Sequence, residues 1–191
     1  MAMTLYGSLA SPYVRRVRLA LEGIDHNFQL VDVYDAAGRA EYARHTPIKK
    51  LPMLVDDDTV VFDSHLIRDY LGQKLGLPEP SVEEHNIVYV IDAATDSLVI
   101  ILQTQRSGLT ADPEKLFYQL QFERIPACLD WLERKARDGA FDEWRYPAIA
   151  LISLLDWARF RNLYDFSQYP ALESAGQRHA QRAIVQATAP R

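Results

Sequence analysis

Two X-Pro steps divide the first third of this chain into stretches that can be helical and stretches that must be extended. Ser11-Pro12 stands where a short apolar run, Met3 to Tyr6, gives way to Val14, Val17 and Leu21 at helical spacing. Proline, with its fixed φ and missing N–H, suits the first turn of a helix, and a serine before it suits the N-cap. Leu51-Pro52 stands directly before a second strand-like run, Met53 to Asp56, and a residue ahead of proline is pushed out of the helical region. The first step places a hydroxyl where unpaired N–H groups and the helix dipole favour negative charge. The second leaves a free backbone edge.

Around these steps the periodicity alternates. Gly23 is a C-terminal stop for the first helix, and Phe28 to Val33 reads as a strand. Residues 37 to 44 read as a short helix ending before Thr46-Pro47. Met53 to Val55 and Val60 to Phe62 flank Asp56-Asp57-Asp58, a hairpin signal with an acidic turn. Consecutive turn carboxylates point apart and no histidine accompanies them, so a turn is expected and not a metal site. Ser64 to Lys74 carries Ile67, Tyr70 and Leu71 on one helical face, and Gly72, Gly76, Pro78 and Pro80 then mark a linker. Beyond it the pattern is helical: Val82 to Arg106, Pro113 to Arg137 with a kink expected at Pro126, Ala148 to Phe160, and Leu172 to Arg182, with a loose tail from Gln186 to Arg191. The expected architecture is an α/β domain of βαβαββα order over residues 1–76, followed by an all-α bundle over 82–191.

Bulk properties narrow the function classes. A net charge of −5 over 191 residues gives no basic surface for a phosphate backbone, so nucleic acid is not an expected partner. The start MAMTLYGS lacks the charged and apolar regions of a secretory signal, which predicts a cytoplasmic protein. Asp92 and Asp96 interrupt the apolar run from Val88 to Leu102, which therefore reads as a buried helix with no membrane role. Cys128 is the single cysteine, which removes intramolecular disulfides and Cys-x-x-Cys chemistry; its neighbours Ile125, Leu129 and Leu132 predict an inert core thiol. No two histidines have metal-ligand spacing, so no metal is expected. Arg15, Arg16 and Arg18 lie mostly off the apolar stripe of their helix and read as a solvated face.

The stretches LYGSLASPYVRRVRLAL at 5–21, HTPIKKLPMLVDDDTVVFDSHLIRDYL at 45–71, RYPAIALISLLDWARFRN and QYPAL resemble, in order and spacing, the glutathione transferase superfamily. The resemblance implies a thioredoxin-like glutathione-binding domain followed by a helical domain. Ser11 matches the active-site serine of theta-like and zeta-like members and would activate the thiol; as a helix N-cap it has a purely structural reading too. Tyr6, the rival for an early tyrosine, falls one position off and reads as a strand residue; Ser8 ranks below Ser11. Pro52 resembles the family's cis-proline, with Leu51 pairing its backbone to the cysteinyl part of glutathione, although a trans proline opening a strand has the same sequence. Asp63-Ser64 matches the acidic-plus-serine step that would hold the γ-glutamyl end, or would simply cap a helix. Lys50 occupies the family's lysine position beside the glycyl carboxylate. Lys49 and Thr46 depart from the glycine and asparagine common in that loop.

The leading expectation is a glutathione transferase, with glutathione as co-substrate, acting in detoxification on an apolar electrophile near Leu9, Ala10 and Tyr13. The resemblance also implies a homodimer, with helix 87–102 as interface. The alternative is a binding or regulatory protein that keeps the fold without useful chemistry. Maleylacetoacetate isomerisation is disfavoured because Pro12 and Tyr13 replace the second and third residues of the Ser-Ser-Cys pattern. A reductase is disfavoured because Ser11 forms no mixed disulfide. The positions Ala148-Ile149-Ala150-Leu151 lack the family's Ser/Thr-x-x-Asp capping box, so that helix has to rely on packing.

Overall fold

The computed structural model describes residues 3–191. They divide into two compact units: the described residues up to Glu79 together with Ala183–Arg191, and Pro80–Arg182. In chain order the elements are β1 (Thr4–Gly7), α1 (Pro12–Ala20), β2 (Asn27–Leu30), α2 (Ala36–Tyr42), β3 (Met53–Asp56), β4 (Thr59–Phe62), α3 (Ser64–Leu75), α4 (Val82–Arg106), α5 (Leu116–Arg137), α6 (Tyr146–Phe160), α7 (Pro170–His179) and α8 (Ala183–Ala187).

The first unit is a four-stranded mixed sheet in the order β2-β1-β3-β4. β1 runs parallel to β2 and antiparallel to β3, and β3 and β4 form the expected acidic-turn hairpin. Strand side chains alternate between faces. Leu5, Leu54 and Val61 pack with Val17 and Leu21 of α1 and Ile67 and Leu71 of α3. Met53 packs with Val31 and Tyr42 of α2, with Tyr6 and Leu51 against them. Gly7 sets how closely α1 follows β1, because a Cβ there would collide with the Val14 side chain. Asp56 ends β3 buried, accepting a 2.6 Å hydrogen bond from the Tyr70 hydroxyl and pairing with Lys74 Nζ, which ties the hairpin to α3.

Three expectations fail in this unit. β2 stops at Leu30, three residues short of the expected strand end at Val33. Gln186 and Ala187, expected in a loose tail, lie in α8, and residues 183–191, expected in the helical domain, group with the first unit. Thr188 is 2 % exposed, and its hydroxyl donates to the Ile184 carbonyl at 2.7 Å. Arg15 and Arg16, expected in solvent, are 1 % and 0 % exposed. The tail supplies part of the reason: Arg15 Nη2 donates to the Val185 carbonyl at 3.2 Å. The Arg16 guanidinium lies 5.2 Å from the Tyr13 ring centre.

The second unit is helical. Ser81 and Glu84 form a capping box at the start of α4. α4 packs on α5 and α6, and α7 on α5 and α6. Every residue of α6 from Pro147 to Leu155 is buried and its N-terminus has no side-chain cap, so packing holds it, as its sequence requires. Pro126 lies inside α5 without ending it. By length and composition alone α4, at 25 residues, is long enough and apolar enough to cross a membrane, a test that a buried core helix also passes; 44 % of its most apolar window is buried. Its inward face, Ile87, Val88, Ile91, Ala94, Leu98 and Ile101, belongs to the core of this unit. Cys128 is half-buried and not fully in the core. Burial pushes its thiol up, with Arg124 opposing.

Candidate functional site at one end of the sheet

The register fixes which segments meet. Tyr6 pairs with Met53, and Met53 with Phe62. The chain therefore leaves β1 through Gly7, enters β3 through Pro52 and leaves β4 through Asp63, all at one end of three adjacent strands. Neighbouring strands lie about 4.8 Å apart, so these three segments share one short stretch of sheet edge. The Asp56–Lys74 pair lies at the other end of β3.

Ser11 is the N-cap of α1, with extended backbone (φ −85°, ψ 127°) and Pro12 in the first turn. Its Oγ accepts from the Val14 N–H at 3.3 Å, and its own N–H donates to the Ser8 carbonyl at 3.3 Å. The residue is half-buried. Leu9 and Ala10 form the half-buried turn between β1 and α1, and Tyr13 follows one residue into the helix. Tyr6 lies inside β1 on the opposite sheet face from Leu5, its ring 5.6 Å from that of His45.

Leu51-Pro52 is a cis peptide. The loop before it is anchored from α2, where the Tyr42 hydroxyl donates to the Lys50 carbonyl at 2.9 Å. Burial pushes the Tyr42 phenol up, so it remains a donor at neutral pH. Lys49 has a left-handed backbone (φ 51°), and the side chains of Lys49 and Lys50 are exposed. Thr46 is buried, and its hydroxyl oxygen accepts from the Ile48 N–H at 3.3 Å.

At the third segment the cap is Asp63 and not Ser64. Asp63 Oδ1 accepts from the His65 N–H at 2.8 Å, and Ser64 is the first helical residue, 1 % exposed. Asp63 has φ 69° and ψ 142°, a region that L residues other than glycine rarely occupy. Sequence reasoning found the residue but not this conformation; the one local signal was an Asp-Ser step directly after a strand. Tyr42 was missed because its contact with Lys50 depends on how α2 folds back over β3.

The arrangement offers one hydroxyl and two helix N-termini, of α1 and α3, beside a cis-proline edge, with lysines in the adjoining loop. Among the described residues no group of three or more His, Cys, Asp or Glu is placed to hold a metal.

Residues 5–79 match the family model for the glutathione S-transferase N-terminal domain. Over 80 residues the chain is 38 % identical to glutathione S-transferase 1 of Manduca sexta, covering 40 % of this chain and 37 % of that one, so the chain spans little more than a third of that curated relative. An uncharacterized GST-like protein of Escherichia coli (strain K12), YibF, is 26 % identical over 172 residues, 84 % of each chain. A solved glutathione transferase family member from Pseudomonas fluorescens Pf-5, with bound glutathione, superposes with a TM-score of 0.84 at 25 % identity over 100 % of both chains. Residues 5–79 therefore form a glutathione S-transferase N-terminal domain, and the chain shares the fold of glutathione transferase family structures, a thioredoxin-like N-terminal domain followed by a helical unit.

Proposed function

We propose that this chain binds glutathione at the sheet end formed by Ser11, Leu51-Pro52 and Asp63-Ser64, and holds its sulfur as thiolate for attack on an apolar electrophile. The reading is carried by Ser11 as N-cap of α1. A hydroxyl whose oxygen already accepts from the Val14 N–H keeps its proton to donate to sulfur. A free thiol has a pKa of about 8.5, and bringing it near 6.5 requires roughly 2.7 kcal/mol in favour of the thiolate. A hydrogen bond to a charged group supplies about 1.5–3 kcal/mol, and a helix N-terminus up to about 2 more.

In this reading the Leu51 backbone pairs with the cysteinyl unit, the α3 N-terminus at Ser64 takes the γ-glutamyl carboxylate, Asp63 meets the ammonium, and Lys50 meets the glycyl carboxylate. The unusual backbone of Asp63 supports a role beyond capping, since such strain concentrates at ligand sites. The second substrate lies toward Leu9, Ala10 and Tyr13. The thiolate lone pair forms the new C–S bond while the electrophile's leaving group departs with its bonding pair or, in an addition, the π pair moves to the neighbouring atom, which takes a proton from water.

The finer reading is a cytoplasmic detoxification enzyme acting as a homodimer. A dimer on helix 87–102 would have to use Tyr89, 60 % exposed, and its half-buried neighbours, because the main apolar face points inward. Calorimetric titration with glutathione, paired with ultraviolet detection of bound thiolate at neutral pH, tests the function. Binding with thiolate is expected. Binding without it supports the alternative, a non-catalytic binding protein; no binding removes both.

A further inference from the structure

On the sheet face opposite α1 and α3, a hollow of about 250 Å³ separates α2 and the turn after it from β1, β2 and the residues just beyond β2. Gly38, Glu41, Tyr42 and His45 line it from one side, and Tyr6 and Asp32 are among those lining it from the other. Gly38, Glu41 and Tyr42 lie on α2, three and four residues apart from Gly38, and His45 lies in the turn that follows it. A helix face turned toward a sheet ordinarily carries apolar side chains. Of these four residues only Tyr42 is deeply buried, and Glu41 and His45 stand at the exposed rim, which leaves the hollow open.

Two rings and two carboxylates are among the groups that line it. The rings of Tyr6 and His45 stand 5.6 Å apart, tilted by 36°. Glu41 Oε1 is 3.9 Å from His45 Nε2, and Glu41 Oε2 pairs with Arg44 at 2.9 Å. Asp32 adds a second carboxylate, whose Oδ1 accepts from the N–H groups of Tyr34 and Asp35. Arg39, the other nearby cation, is committed to the carbonyls of Val33 and Tyr34. At Gly38 a Cβ would run into the Asp32 carbonyl oxygen, so the helix closes on the loop at that end.

We propose that this hollow binds a small organic cation with a single-ring or short apolar body, its ammonium against the Glu41 and Asp32 carboxylates and its body against the Tyr6 and His45 rings. Aromatic faces and carboxylates together select a cation over a neutral or anionic isostere. The volume falls below the range of about 300–1,000 Å³ that holds drug-sized ligands, which limits the occupant to one ring. None of the residues assigned to glutathione lines the hollow, and this proposal does not rest on that assignment.

Benzylamine, cationic at neutral pH, is the probe, with benzyl alcohol and benzoate as isosteres, read by amide NMR shifts on the full chain. Benzylamine is expected to shift the amides of residues 29–32 and 38–45 saturably, to bind more tightly than either isostere, and to remain bound in saturating glutathione. Glu41→Gln and His45→Ala, both at exposed positions, are each expected to weaken it, Glu41→Gln by about fivefold. Equal binding of benzyl alcohol or benzoate, shifts elsewhere, displacement by glutathione, or unchanged affinity in both variants would overturn the proposal.

Discussion

Glu133, buried near the end of α5, accepts a 3.0 Å hydrogen bond from the backbone N–H of Leu172 and so caps α7 from a neighbouring helix. The same carboxylate accepts from the Ala171 N–H at 3.1 Å and pairs with Arg137 at 3.0 Å. α7 has no side-chain cap of its own. A carboxylate at a helix N-terminus also meets the positive end of the dipole. Glu133→Ala leaves one buried and one part-buried N–H group without their acceptor and is expected to cost about 2–4 kcal/mol of stability in urea unfolding. A loss under about 0.5 kcal/mol, within the ordinary range of surface substitutions, would contradict this role.

Asp56 gives a pH signature. Hydrogen bonds from Lys74 and then Tyr70 hold its carboxyl below the usual range, with burial opposing. A carboxylate whose folded pKa is depressed contributes stability above its unfolded pKa of about 3.9, and loses it as pH falls through the folded value. Asp56→Asn is therefore expected to be less stable than the parent at neutral pH. The gap should start to narrow as pH falls below about 4 and close only below the depressed folded value, where the parent's own Asp56 becomes neutral. A gap that stays constant from neutral to acid pH would assign the effect to shape and not to charge.

Much of the first unit was legible because its determinants are local. Ser11-Pro12 and Leu51-Pro52 act on their own backbone and neighbours, and the acidic hairpin turn lies between strands that pair directly. What the sequence hid depends on distant partners. Arg15 is buried in part by a segment 170 residues downstream, and Glu133 caps a helix 38 residues away. α8, five residues long, is too short for periodicity to reveal. At the candidate site the helix start at Ser11-Pro12 and the strand start after Pro52 were readable, but the Asp63 backbone was not.

The tail contact makes its own prediction. Arg15→Met removes a charge-assisted hydrogen bond to the Val185 carbonyl and is expected to destabilise the chain by about 1.5–3 kcal/mol. Limited proteolysis should then release residues 183–191 faster than in the parent. Unchanged tail protection would mean that other contacts hold α8.

Cys128 should be chemically quiet. Burial raises its thiol, which keeps it protonated at neutral pH. A thiol reagent is expected to label it slowly in the folded protein and rapidly in urea, and Cys128→Ser should leave thiolate formation by bound glutathione unchanged. Rapid labelling of the folded chain would contradict the burial argument.

In the function proposed above, a single hydroxyl at the start of α1 lowers the pKa of a bound thiol. Ultraviolet titration of glutathione bound to the parent and to Ser11→Ala measures it directly. The parent is expected to ionise its bound thiol near pH 6.5, and the variant about one to two units higher with glutathione still bound, from the loss of a hydrogen bond worth about 1.5–3 kcal/mol. Coincident titration curves for the two proteins would show that Ser11 does not stabilise the thiolate.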